Sequence, residues 1–150
     1  FLEITVPVTT KEQIKEIKKT VTHIAKKHDE EPYKALATTQ QAIFHQLEEQ
    51  DEIDAAAIFD KVFEEKPLAR EAAQLAITEE RVPEKIAVTN VPKYERKYSK
   101  QKFKLDNGIE ITIPSEIYEN KEMVEFINNP DGSVSVLIKN IESILNKFNA

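Results

Sequence analysis

The residues with the clearest chemical pattern are Lys93, Arg96, Lys97, Lys100, Lys102 and Lys104, with Tyr94 and Tyr98 set among them. Cationic side chains neutralise phosphates, and aromatic rings stack on bases or pack beneath the charges. Together these residues are candidates for a sequence-indifferent nucleic-acid contact. Between residues 81 and 104 the chain carries eight basic side chains against two acidic ones. Residues 29–65 are the reverse, with eleven acidic and two basic. The basic residues therefore also fit two plainer roles. The lysines can be solvated on strands and loops while the tyrosines cover a sheet edge, or the stripe can pair with the acidic helices, within the fold or across a homo-oligomer.

The other reactive types do not assemble. His23 and His28 are five apart and do not share a helix face as a His-x-x-x-His metal pair would. His45 stands apart from both. The carboxylates between Glu48 and Asp54 can attract a cation, but the stretch from Asp51 lacks the glycine and the 1-3-5 oxygen spacing of a calcium loop. There is no Gly-x-Ser-x-Gly elbow, and two glycines in the whole chain leave no phosphate-cradling loop. The lack of cysteine removes disulfides, thiolate metal sites and thiol catalysis, and suits a reducing cytoplasm. No catalytic residue, metal ligand or cofactor is assigned.

The whole-chain properties narrow the class further. Net charge is −6, which argues against a self-sufficient DNA-binding module. No apolar run approaches the roughly 20 residues that cross a bilayer, so no membrane partner is expected. The start lacks the basic flank and apolar core of a signal peptide. The first residue is Phe rather than Met, and the chain is expected to be the C-terminal part of a longer protein.

Helices must dominate the first half. Residues 1–8 alternate like a strand, limited by Pro7 to an edge or end. Thr9 with Glu12, or Thr10 with Gln13, has the spacing of a capping box. Ile14, Ile17, Val21 and Ile24 then recur at helical spacing to about His28, with Lys15, Lys18, Lys19 and Lys26 mostly on other faces. Pro32 suits a first helical position, and Leu36, Ile43, Phe44 and Leu47 carry that helix to about Glu49. Asp54 caps a third helix with Ile58, Val62 and Phe63. Pro67 opens a fourth with Leu68, Ala72, Leu75 and Ala76 as its apolar side. The tight join at Lys66-Pro67 invites a helix-turn-helix reading, but both flanking helices are mainly acidic where a recognition helix carries Lys or Arg.

The second half reads as strands. Lys85–Thr89 is a short strand bracketed by Pro83 and Pro92. Asn107-Gly108 is the strongest local signal, fitting a two-residue type I′ hairpin turn with positive φ at both positions. Phe103 and Leu105 alternate before it, and Ile109, Ile111 and Ile113 after it. Ser115 starts a brief helical turn through Tyr118. A second hairpin joins Met123–Ile127 to Ser133–Ile138 through Asn128–Gly132. Asn140 is expected to cap a last helix from Ile141 to Phe148, which would cover an open sheet face.

Several of these residues also resemble the C-terminal part of a bacterial nucleoid-associated protein family, the NdpA-like group. The resemblance is carried by Asn107-Gly108-Ile109, Ile113-Pro114, Tyr118 with Asn120, Val124-Glu125-Phe126, Asn129 with Asp131-Gly132, and Ile138-Lys139-Asn140-Ile141. It covers roughly residues 85–148. These are turns, strand edges and a helix start, so the resemblance supplies no catalytic residue. It implies a cytoplasmic protein found with the compacted chromosome, whose partners are the bacterial chromosome or nucleoid proteins, with DNA among them.

The reading is then a single α+β domain over residues 1–150. Residues 1–80 form a helical layer of about four helices. Residues 81–150 form a small antiparallel sheet of two hairpins with a C-terminal helix. The expected function is non-enzymatic, in chromosome-associated protein contacts or assembly. The alternative is direct DNA binding through residues 93–104.

Overall fold

A computed structural model describes residues 9–147, so the strand expected at residues 1–8 lies outside the described residues. The chain is mixed helix and sheet and divides into two compact units, residues 1–98 and 99–150. The division falls after Tyr98, inside the basic stretch.

Among the described residues the first unit holds five helices and one small ribbon. Helix α1 (Thr10–Lys27) starts where Thr9 Oγ1 accepts the Glu12 amide at 3.1 Å. That bond satisfies one of the first-turn N–H groups that a helix cannot pair internally. Ile14, Ile17, Val21, Ile24 and Ala25 form its buried stripe. Its end is a left-handed cap without glycine. Asp29 has φ 54° and Glu30 N–H donates to the Ala25 carbonyl at 2.9 Å. Lys66 Nζ donates to the His28 carbonyl at 2.6 Å, placing a cation at the negative end of the helix dipole.

Helix α2 (Pro32–Glu49) has proline at its first position, where the missing N–H costs nothing. Strand β1 (Glu52–Asp54) pairs antiparallel with β2 (Lys85–Ala87), Ile53 opposite Ile86. Both isoleucines are fully buried. Strand β1 is absent from the pattern reading because three residues are too short to show period-2 alternation. Gln46 fixes its end, accepting the Asp54 amide at 2.8 Å and donating to the Asp54 carbonyl at 3.2 Å. Asp54 then caps α3 (Ala55–Val62) through the Ala57 amide at 3.1 Å.

Helix α4 (Pro67–Thr78) corrects one expectation. Its buried residues are Ala69, Ala73 and Ala76, while Leu68 is 71% exposed and Leu75 48%. Helix α4 packs against both α1 and α3. Small side chains on the facing stripe let helix backbones come close, so the alanines take the inside and the leucines are left out. Gln74 Nε2 joins α4 to α3, donating to Asp60 Oδ1 at 3.0 Å and the Ala56 carbonyl at 3.2 Å. The core of this unit centres on Ile17, Val21, Ile43, Ile58, Phe59 and Phe63, all fully buried. Helix α5 (Val91–Tyr98) packs on α2 and ends on the buried Tyr98.

Among its described residues the second unit holds two hairpins. Strands β3 (Lys100–Lys104) and β4 (Glu110–Pro114) pair with Phe103 opposite Ile111. After the short turn α6 (Ser115–Tyr118), β5 (Val124–Asn128) pairs with β6 (Val134–Ile138), Phe126 opposite Val136. The hairpins form separate two-stranded sheets rather than the one sheet expected. Side chains link them instead. Phe103, Tyr118 and Phe126 form a triangle with ring centroids 5.1–5.8 Å apart. Such aromatic contacts add stability beyond their buried area.

The two turns share one geometry, which at Asn107-Gly108 differs from the expected type I′. Leu105 N–H donates to the Ile109 carbonyl, and Gly108 N–H to the Leu105 carbonyl. The loop is therefore three residues, Asp106-Asn107-Gly108, and only Gly108 has positive φ, at 92°. Asn129 and Ser133 close the second loop in the same way around Pro130-Asp131-Gly132, with Gly132 at φ 88°. This is a type I turn followed by a left-handed glycine, the usual three-residue hairpin loop. Asn107 Oδ1 and Asp131 Oδ1 each accept the amide two residues on, at 3.1 and 2.9 Å. The Ser133 hydroxyl also donates to Asp131 Oδ1, and these bonds hold the Asp131 carboxyl below its usual pKa.

The expected C-terminal helix is not formed over residues 141–147. Asn140 is left-handed at φ 57°, whereas a helix N-cap needs extended backbone. Its side chain is engaged elsewhere, donating to the Glu122 carbonyl at 2.9 Å. Ile141, Ile144 and Leu145 are 52–84% exposed. A segment this short does not hold a helix without burying its apolar side.

Candidate nucleic-acid interface

The basic stretch is divided between the two units. Lys93, Tyr94, Arg96, Lys97 and Tyr98 lie on α5, and Lys100, Lys102 and Lys104 lie on β3. A helix here corrects the expectation of strand or loop. Pro92 sits in the first turn of α5, where proline is tolerated.

On β3 the geometry follows from the period of two. Lys100, Lys102 and Lys104 share one face and are exposed, while Gln101 and Phe103 turn to the other side. Opposite them on β4 stand Pro114, Thr112 and Glu110. None of the three lysines forms an ion pair among the described residues. They make a short row of solvated cations.

On α5 the charges stand beside a pocket. Lys97 is exposed, Tyr94 is half-buried and Tyr98 is 2% exposed. Helix α1 brings three further lysines to the same place. Lys11, Lys15 and Lys18 recur at i, i+4 and i+7 and so share one face. With Lys97 they ring a pocket of about 190 Å³ floored by Ile14, Tyr94 and Tyr98. Lys18 Nζ lies 4.7 Å from the centre of the Tyr98 ring, and Lys97 Nζ lies 6.0 Å from it. Lys93 Nζ is 5.9 Å from the Tyr94 ring. A cation within about 6 Å of a ring centre is attracted to its face.

The electrostatics reflect burial and like charge. Lys18 is pushed down to about 8, first by burial and then by the Lys97 ammonium. Tyr98 is pushed up to about 12, first by burial and then by Tyr94. None of Lys11, Lys15, Lys18 and Lys97 makes an ion pair among the described residues. Glu16, the residue after Lys15 on α1, lies at a different pocket with Glu80, Arg81 and Glu84.

Of these α1 lysines, Lys15 and Lys18 are expected from the sequence to lie mostly on other faces than the apolar stripe, and Lys11 is not singled out there. Their signal was present in the spacing Lys11-Lys15-Lys18. It was masked by Ile14, which shares that side of the helix and marks it as core.

The remaining candidates stay dispersed. His23 is exposed, His28 caps α1, and His45 Nδ1 stands 3.3 Å from Glu48 Oε1 on the surface of α2. Among the described residues no group of three His, Asp or Glu side chains is placed to hold a metal ion. No helix among them is long and apolar enough to cross a membrane.

No curated protein and no solved structure matches the chain. A family model described as nucleoid-associated protein YejK matches residues 1–146. By that match, which places it with the DNA-associated proteins of the bacterial nucleoid in the cytoplasm, the chain belongs to the nucleoid-associated protein YejK family.

Proposed function

We propose that the chain is a non-enzymatic nucleoid component that works through protein contact and assembly. The observation that carries this reading is an exposed apolar run at the end of the second unit. Leu137, Ile138, Ile141, Ile144 and Leu145 fall within nine residues and are 45–84% exposed. Single exposed apolar residues are ordinary, but a concentration of them marks an interaction surface. The backbone favours the same reading, since each hairpin has two strands and open edges that can accept another chain. Sedimentation velocity over a concentration series tests it. Self-association that weakens in Ile144→Lys with Leu145→Lys is the expected result. A chain that stays monomeric at every concentration removes the assembly role.

A second reading, direct contact with duplex DNA, is favoured by the unpaired lysines of β3 and by Lys97 of α5. It requires an affinity that is indifferent to sequence and falls steeply with salt, about 0.9 in log–log slope per neutralised phosphate. Charge reversal at Lys97 and Lys100 to Glu must weaken it. No binding at low salt eliminates this reading and leaves the first untouched.

A further inference from the structure

We infer that Lys11, Lys15, Lys18 and Lys97 form a site for a phosphate group between α1 and α5. The site goes beyond both readings above. It draws three of its four cations from outside the basic stretch 93–104, and it uses none of the β3 lysines.

Four observations carry it. First, the four lysines, drawn from two helices, line one concave place. Second, they are left unneutralised among the described residues, although acidic side chains outnumber basic ones in the chain. Like charges at i and i+4, as at Lys11 and Lys15, destabilise a helix unless an anion offsets them. Third, the floor is apolar and aromatic, and Tyr98 is nearly fully buried. Low-dielectric walls around one sign of charge focus the field on an incoming ion. Fourth, the space is about 190 Å³, several times the roughly 30 Å³ share of one water. That admits a phosphate group with part of its ester.

Phosphate suits this donor set because it offers several acceptor oxygens that separate ammonium groups can share. Lysine binds it as a point charge and imposes no planar fork. The α1 lysines also match a polymer of phosphates. Lys11 to Lys18 spans about 10.5 Å of helix axis, so the row is long enough to meet more than one phosphate of a chain. The phosphate can thus be a backbone diester or a free phosphate, and the experiment separates the two.

The 150-residue chain is melted in inorganic phosphate and in chloride at equal ionic strength, and its binding to a short DNA duplex is measured over a salt series. Ligand that binds only the native state must raise the melting temperature. The expected result is a rise of a few degrees in phosphate over chloride that is lost in Lys15→Gln with Lys18→Gln. It is kept in Lys26→Gln with Lys27→Gln, which lie on α1 away from the pocket. Lys11→Gln with Lys15→Gln, both exposed positions, repeats the test without touching the half-buried Lys18. If these pocket variants also weaken duplex binding several-fold and lower the salt slope by about 1 per lysine, the occupant is a nucleic-acid backbone. If they lose the phosphate effect while duplex binding is unchanged or absent, the occupant is a free phosphate compound. Equal melting in phosphate and chloride, together with duplex binding that is absent or unchanged in the pocket variants, overturns the site. Failure of the DNA reading is read separately, from Lys100→Glu on β3.

Discussion

Lys18 Nζ lies 4.7 Å above the centre of the Tyr98 ring, joining the first helix of the N-terminal unit to its last. The contact holds a cation in a partly desolvated place beside a second cation, Lys97, and the charge there is costly. This relation sets a pH dependence that can be measured.

Lys18 keeps its ordinary pKa of 10.5 when unfolded and titrates near 8 when folded. Between those values the unfolded chain binds more protons, so stability must rise as pH rises from about 8 towards 10.5. Tyr98 opposes this only at higher pH, since its raised pKa gives stability that is lost from about 10 towards 12. Lys18→Met removes the buried charge and keeps the stem. It should be more stable than the native chain at pH 7, by about 0.5–1 kcal/mol after solvent screening is allowed for. The gap should narrow as pH rises from about 8 towards 10.5. Urea unfolding at pH 7, 8 and 9.5 checks both the sign and the convergence.

Gly108 and Gly132 should respond alike to alanine. Both are left-handed, and an added Cβ meets no atom within 4 Å at either. The cost is then backbone strain alone, about 1–2 kcal/mol each. Gly108→Asn should cost less than Gly108→Ala, because asparagine tolerates this region. Denaturant midpoints of the three variants test the order.

In α4 the structure reverses the usual ranking of leucine over alanine. Leu68→Gln should change stability by no more than about 0.5 kcal/mol, since the side chain is largely exposed. Ala73→Leu should cost about 1–3 kcal/mol by overpacking a fully buried position. Thermal melts of both variants decide it, and a larger loss from Leu68→Gln contradicts the packing described above.

Glu80 follows α4 in the left-handed region at φ 60°, where Arg81 N–H closes on the Ala76 carbonyl at 2.9 Å. Glycine has no Cβ penalty there. Glu80→Gly should raise stability by about 0.5–1 kcal/mol, net of the extra freedom it gives the unfolded chain. A loss of stability on chemical denaturation contradicts the assigned cap.

Local chemistry was readable along the chain because its causes lie within a few residues. Thr9 and Asp54 cap helices, Pro32 and Pro67 open them, and the stripe Ile14-Ile17-Val21-Ile24 is buried as its period requires. Both glycine turns were located, although the number of residues in each loop was not. A turn's type depends on where the strands register, and that is fixed by pairs such as Phe103 with Ile111.

The sequence by itself determined where helices start, where hairpins turn and which stretches carry charge. Each of these follows from capping groups, proline and glycine geometry, or side-chain period. Tertiary structure alone decided that alanines rather than leucines line the inside of α4, and that residues 141–147 stay out of a helix. Burial there depends on what lies opposite, which no local pattern records. It also decided the most consequential point. Lys11, Lys15 and Lys18 are some eighty residues from Lys97, and only the packing of their helices brings the four charges around one tyrosine-floored pocket.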